Sequence, residues 1–353
     1  MMKNSTLSLI ATTLLLVLGA CTTLCAETVW LSYATNTEPT GLRGLAEKAF
    51  LEEIERLGKG TIRIQTHWEQ SFLKDKELLE GIRDGSVDMG HVNINYYPSR
   101  LVINGAITLF QRGPSRYQDR MWVYDTLYGE IPELCREFSR YNQKVIYTYS
   151  VLPLAGAFTQ PVHTLADFKN RRVRASSRWL LRILEGAGAV PVALPWADTY
   201  MALKTNALEG IYTNLDAIHR ISLDTVAPHL LIFREFWNPV PFHVTINLDT
   251  WRRLSPAVKE IIQAASKNSK EAFATRYHSM LDEIVADESG QGCNVRFAKK
   301  EDVLLWMKLP EVELVKRLWV KDVSNQLTTA EAEAILSQME QIIGRGIHRD
   351  REI

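Results

Sequence analysis

The chain has 353 residues, with 41 Lys and Arg set against 41 Asp and Glu, and 46% of its residues are apolar. That length can carry two domains with substantial cores, and the charge balance excludes a broad basic surface for nucleic acid. Function therefore has to come from the local placement of charge.

Met1-Met2-Lys3 and the apolar run from Leu7 to Ala20 read as an export signal, too short to cross a membrane. Two processing points fit it. Leu18-Gly19-Ala20-Cys21 resembles a bacterial lipobox, in which Cys21 is lipidated; ordinary cleavage near Ala26 is the alternative. Either way the mature chain lies outside the cytoplasm, in the periplasm. Of the four cysteines, Cys21 and Cys25 belong to this region. An oxidising compartment permits a disulfide between Cys135 and Cys293, but two isolated buried thiols are the expected state. No CxxC, HExxH or clustered His pattern suggests a metal, and no cofactor is expected.

Val29 to Ala34 reads as a strand, followed by a polar loop Thr35 to Glu38 and a helix from about Leu42 to Leu57, closed by Gly58-Lys59-Gly60. Thr61 to Gln65 is a second strand, Asp75 to Arg83 a helix, and Val87 to Val92 a third strand. This β-α-β-α-β order predicts a parallel sheet with crossover helices, so the strand exits, including Trp68, Asn93 and Tyr96, share one rim. Tyr117 to Ser139 has a helical pattern, and Lys144 to Ser150 a strong strand pattern that leads across a hinge near Val151 and Leu152.

Arg171-Arg172-Val173-Arg174-Ala175 is a short alternating strand, and Ser176 or Ser177 is a good cap for the helix that follows, which Gly186 and Gly188 end. Arg174 then lies at the carboxyl end of a strand beside a helix N-terminus, where a guanidinium fork and the dipole suit a carboxylate. Leu208 to Asn214 is another strand ending in polar side chains, and ligands of open α/β sheets sit beyond such ends. Arg174, Thr213 and Asn214 are expected to meet there. An Arg-rich strand is also an ordinary solvated surface, so the arginine alone does not decide the matter.

Phe236 to Asn247 reads as a second crossing strand, with Trp237 and Asn238 near the hinge. Ser255-Pro256 opens a long helix to about Glu288, with Ile262, Ala265, Phe273, Tyr277, Met280 and Ile284 on one face. Asn294 to Phe297 is a strand, Glu301 to Val320 a helix interrupted at Pro310, and Thr328 to Glu331 a capping box for a last helix to Ile343.

The stretches DFKNRRVRASS and GAGAVPVALPWADTYMALKTNALEG resemble the signature region of the periplasmic solute-binding subunits of TRAP transporters, the DctP-like family. In that family a D-hydrophobic-K-G-x-(K/R)-hydrophobic-R motif carries the arginine that grips the substrate carboxylate, here Arg174. The resemblance implies an α/β, periplasmic-binding-protein-like fold of two domains, each a mainly parallel sheet flanked by helices, joined by hinge strands and a long domain-spanning helix. Domain I is expected at 27–151 plus 240–279 and domain II at 152–239 plus 280–353, after the export segment 1–26. The resemblance places Trp196 in the cleft, where its ring can stack on ligand carbons; the alternative is that it caps the core beneath a short helix from Asp198 to Thr205. The family's further arginine is absent from Gly156 to Pro161, which favours a less polar acid. Where the family reads D-G-Q-E-N, this chain has Glu209-Gly210-Ile211-Tyr212-Thr213.

The expected function is capture of a small organic carboxylate by Arg174, Trp196, Thr213, Asn214, Trp237, Asn93, Tyr96 and Trp68. By resemblance the solute passes to the membrane subunits of a TRAP transporter, with membrane contact only there or through a lipid anchor. A sensory protein of the same fold and an extracytoplasmic enzyme are the alternatives; the chain shows no G-x-S-x-G elbow or metal motif to support an enzyme.

Overall fold

The structure is a computed structural model that describes residues 28–350 apart from Asn238. The export segment, with Cys21, Cys25 and both expected processing points, lies outside the described residues.

Strands β1 (Val29–Ala34), β2 (Ile62–His67) and β3 (Met89–Asn93) alternate with helices α1 (Gly41–Gly58) and α2 (Leu78–Arg83). The expected crossovers give parallel pairs, β1 with β2 and β1 with β3. The helical stretch after Tyr117 splits into α3 (Tyr117–Glu130) and α4 (Pro132–Arg140), because Pro132 lacks an N–H and disfavours helical backbone at Ile131. Strand β4 (Gln143–Tyr149) then closes one edge of a five-stranded sheet in the order β2-β1-β3-β10-β4, where β10 is Phe242–Asn247.

After β4 the chain leaves this sheet and enters a second one. Its strands are β5 (Leu154–Phe158), β6 (Arg172–Ala175), β7 (Val190–Val192), β8 (Gly210–Asn214), β9 (His229–Ile232) and β11 (Asn294–Phe297), in the order β11-β9-β5-β8-β6-β7. The architecture is α/β with two mixed sheets flanked by helices. Within each sheet one strand runs against its neighbours: β10 in the first and β5 in the second. Both are the strands entered directly after a crossing. The chain leaves β4 at a carboxyl end and reaches β5 on the same side, so β5 must run away from that side. Strands β6, β8 and β9, antiparallel or linked to it, run back with their carboxyl ends facing the first sheet's rim.

Helices α5 (Arg178–Gly186), α6 (Thr199–Lys204) and α7 (Leu215–Arg220) connect these strands, and α8 (Leu248–Arg253) follows β10. The long helix α9 (Pro256–Gly290) starts at the Ser255 cap, whose hydroxyl accepts the Val258 N–H at 3.3 Å. Its buried stripe Ile262, Ala265, Phe273, Tyr277, Met280 and Ile284 keeps helical spacing. This helix packs on α1, α3 and β4, and its far end reaches α7 and β11, so it serves both sheets. Pro310 divides the next stretch into α10 (Lys300–Met307) and α11 (Pro310–Asp322), and α12 (Thr329–Arg349) packs on α3 beside the first sheet. Among the described residues no helix is long and apolar enough to cross a membrane.

Cys135 and Cys293 are free thiols, and neither is deeply buried: Cys135 is exposed because α4 turns it outward, and Cys293 is partly covered. Inside the first sheet His243 is fully buried, with its ring nitrogens 2.6 Å from the Tyr128 hydroxyl and 2.9 Å from that of Thr148. Burial, with the charge of His91 and Lys270 behind it, pushes its pKa down to about 3. The unfolded chain accepts this proton near the ordinary pKa of about 6.5, while the folded chain resists it. Stability should therefore fall as pH drops from about 6.5 towards 3, at about 1.4 kcal/mol per pH unit from this residue. Urea unfolding of the wild type and His243→Phe over that range checks this, and the variant should lose that part of the slope.

Candidate functional site

Strand β6 leaves Arg172 exposed and buries Val173, Arg174 and Ala175, with Arg174 near the carboxyl end of a strand held between β8 and β7. The three arginines of this segment part company. Arg171 donates to the carbonyls of Asp167, Gln160 and Pro161, and Arg172 pairs with Glu209 at 3.3 Å. Arg174 is 6% exposed, donates from Nε to the Leu194 carbonyl at 3.1 Å, and meets no carboxylate among the described residues. Its guanidinium lies 5.4 Å from the centre of the Trp196 ring. Burial pulls its pKa down, yet a guanidinium stays protonated in proteins. The result is a desolvated cation without an anion, beside the α5 N-terminus, where Ser177 accepts the Leu180 N–H at 3.2 Å.

The loop after β7 carries Trp196, which is half-buried. A second guanidinium, that of Arg220 at the end of α7, lies 6.0 Å from the same ring, so two cations flank one aromatic surface. Burial lowers the pKa of Arg220, and the nearby charge of Arg43 lowers it further. From the first sheet, Tyr96 faces this group. Its phenol is pushed up by burial and by Asp75, while Arg43, Arg220 and Arg174 act the other way. Asp75 is itself pushed up by burial, and its Oδ1 is buried without a hydrogen-bond partner.

At the exit of β8, Thr213 and Asn214 are buried, as placed by the sequence. The Asn214 amide is already engaged: Oδ1 accepts from Arg43 Nη2 at 3.2 Å and Nδ2 donates to Asp216 at 2.5 Å. Arg43 Nε also lies 3.4 Å from Asp216, and its guanidinium covers Phe242 at 4.7 Å. Helix α1 of one sheet thus grips the β8 exit of the other. Thr213 has only a long 3.4 Å bond to Asn214 and borders a small cavity with Asn95, Thr108, Ser176 and Ser177. A larger cavity of about 500 Å³ opens on the other side, between Asn36, Glu38, Arg43, Asp216, Arg220 and Met280. Arg174 is not part of the walls of either.

The remaining sequence candidates take different places. Asn93 caps the turn at 94–96, accepting the Asn95 N–H at 3.0 Å. Trp68, half-buried at the β2 exit, meets Tyr33 edge-on at 6.1 Å. The next two residues, Glu69 and Gln70, are left-handed and held by bonds to the Thr37 and Thr35 carbonyls, which fixes this rim. Trp237 is fully buried, stacked on Tyr124 at 5.1 Å, and donates its N–H to the Phe110 carbonyl at 2.8 Å. It has no exposed surface to offer a solute, because Gly113 lets the backbone press against its ring.

Arg43, Asp75, Asp216 and Arg220 escaped the sequence reading. Arg43 follows a strand exit already assigned to the rim, and Asp216 sits in the first turn of a six-residue helix that no periodicity reveals. Two sheets whose strand ends converge on an unneutralised arginine define a cleft-type binding protein. Residues 33–314 match the family model DctP, the bacterial extracellular solute-binding protein family 7, and the chain belongs to that family of TRAP periplasmic solute-binding proteins.

The sialic acid-binding periplasmic protein SiaP of Vibrio cholerae is 22% identical over 72% of this chain and 78% of that protein. A TRAP solute-binding protein of Desulfovibrio salexigens, solved as an open complex, superposes with a TM-score of 0.75 at 21% identity, over 90% of this chain and 96% of that one. A sugar acid binding protein of Advenella mimigardefordensis, solved with galactonate, gives 0.71 at 16% identity over 90% and 99%. At these identities the likeness to solved structures shows the fold. Among these curated relatives the chain spans between 31% and 82% of their length.

The Arg43 contacts predict one local effect. Arg43→Ala removes a partly exposed ion pair and a hydrogen bond, together worth about 1 kcal/mol. Amide hydrogen exchange over residues 213–220 should quicken about fivefold, with exchange in β1 and β2 unchanged.

Proposed function

We propose that this protein captures a small organic carboxylate between its two sheets, with Arg174 as the anion anchor, and delivers it to the membrane subunits of a TRAP transporter. The observation that carries this is Arg174 itself: a 6% exposed guanidinium with no carboxylate partner among the described residues. A solute carboxylate arriving there gains two parallel charge-assisted hydrogen bonds in a water-poor setting, where such bonds are strongest. Trp196 offers the ligand carbons an aromatic surface that the two arginines hold in place. The Thr213 hydroxyl, at the exit of the neighbouring strand β8, and the Tyr96 phenol on the opposite rim are the polar groups we assign to the two sides.

The same reading favours a hinged capture. We take the described residues from 28 to 151 with 240–279 as the first lobe and those between 152 and 239 as the centre of the second, the chain crossing between them next to Val151 and Val240. Residues 280–350 are proposed to complete the second lobe, with the helix 329–349 also packing on α3 of the first. Closure of the lobes buries the solute contacts and shields them from water. The named relatives bind acids of quite different shapes, sialic acid and galactonate among them. Arg220 and Arg43, the latter paired with Asp216, add positive charge on the cavity side. That charge suits an acid carrying further polar groups as well as the less polar acid that the sequence favours.

A thermal-shift screen of the mature chain against monocarboxylates, dicarboxylates, 2-oxo acids, aromatic acids and neutral sugars tests this directly. One class of acid should raise Tm, and Arg174→Ala should weaken that acid by about 2–5 kcal/mol without unfolding the protein. Stabilisation by neutral sugars alone, or full affinity in the variant, would overturn the anchor. Trp196→Ala should weaken acids with a sizeable apolar part more than small ones, measured by calorimetry; equal losses would count against stacking.

A further inference from the structure

The long helix α9 ends on an acid where its pattern calls for an apolar residue. Its buried stripe runs through Tyr277, Met280 and Ile284, and the next position at that spacing is Glu288, which has no exposed surface. A fully buried carboxylate needs compensation. His219 Nδ1 lies 2.9 Å from one Glu288 oxygen, and Cys293 Sγ lies 3.6 Å from the other. Asp224, only 5% exposed, completes the group: one donor atom each from Asp224, Glu288 and Cys293 lie within 4.8 Å of one another.

These residues come from separate elements. His219 is in the last turn of α7, Asp224 in a short turn after it, Glu288 at the end of α9, and Cys293 just ahead of β11. Among the described residues no Lys or Arg pairs with Asp224 or Glu288, and the nearby Asp287 adds another negative charge, 3.9 Å from His219. One imidazole therefore faces an excess of acid. Burial pushes the Asp224 carboxyl up, and the neighbouring Glu288 pushes it further. Burial and the same glutamate push the Cys293 thiol up to about 11.

We propose that Asp224, Glu288 and Cys293 bind a divalent cation of the Zn²⁺ type, with His219 as the positioning residue that hydrogen-bonds the Glu288 carboxylate. A thiolate with two carboxylate oxygens suits a borderline ion such as Zn²⁺; Ca²⁺ and Mg²⁺ take oxygen donors. Bonds of about 2.0–2.3 Å in a tetrahedral site bring donors to about 3.3–3.8 Å of one another, so side-chain shifts of about 1 Å close the group round the ion. Three protein ligands leave the fourth position to water. Binding deprotonates the thiol and releases its proton to solvent.

The ion would fasten the end of α9 to the loop following α7, the helix that carries Asp216 and Arg220 at the cleft. This clasp does not depend on which solute, if any, Arg174 takes. No motif in the sequence announces it, because its residues are spread over seventy positions and two loops.

Co²⁺ is the probe, added to the metal-free mature chain. One equivalent should produce a thiolate-to-metal charge-transfer absorption, and Zn²⁺ should abolish it by displacement. Cys293→Ser should lose the absorption, while Cys135→Ser should keep it. Glu288→Gln should weaken Co²⁺ at least tenfold, and His219→Gln by about tenfold, the usual loss when a partner of a metal ligand is removed. If Glu288→Gln does not melt cooperatively, Asp224→Asn replaces it with the same expectation. Zn²⁺ should also raise Tm in the wild type but not in Cys293→Ser. No absorption on adding Co²⁺, an absorption that survives Cys293→Ser, or equal Zn²⁺ stabilisation of the two proteins would overturn the site.

Discussion

Everything at the cleft turns on one guanidinium that cannot discard its charge. A buried Lys or His can neutralise itself by losing a proton, but an arginine remains cationic at any pH a protein meets. Arg174 is nevertheless enclosed, with a carbonyl and an aromatic ring for company and no acid among the described residues. Holding a charge in that state costs several kcal/mol of desolvation. Its neighbours in sequence show that the chain could have answered it: Arg172 has Glu209, and Arg171 has three carbonyls. The third cation has no such answer among the described residues, and the proposed function rests on that difference.

The topology is what delivers that cation to the right place. Each sheet admits one reversed strand, β10 or β5, immediately after a crossing. Those reversals turn the carboxyl ends of β1, β2 and β3 towards the carboxyl ends of β6 and β8. Arg174 and the Thr213–Asn214 pair come from one side, Trp68, Asn93 and Tyr96 from the other. Arg43 joins the two sides through Asn214 and Asp216, and the long α9 lies along both. The rims are therefore near each other yet belong to separate sheets.

Much of this was legible in the sequence because it rests on local rules. The Ser177 and Ser255 caps and the Thr328 capping box recur in the structure, and a strand forms where the Arg172–Ala175 segment was read as one. Position at a strand's carboxyl end singled out Arg174, and the structure leaves it without an acid. Other features depended on long-range contacts that no spacing encodes. Nothing near Trp237 tells that Gly113, more than a hundred residues earlier, would press its ring into the core. Helix α7 is too short to show a period, so Asp216 and Arg220 went unseen. Asn214 was a candidate from its place at a strand end, and no spacing announced that Arg43 and Asp216 would engage its amide. The break at Pro132 was readable in principle, but the apolar spacing on either side of it masked the stop.

The most direct measurement compares a carboxylic acid that stabilises the protein with its own primary amide, by calorimetric titration of the mature chain. The two differ in charge at one group and little in shape. If Arg174 waits for an anion, the acid should bind at least a hundredfold more tightly, and the preference should shrink to a few-fold in Arg174→Ala. An amide that binds as tightly as the acid would contradict the account, because the buried cation would then be making no use of the charge.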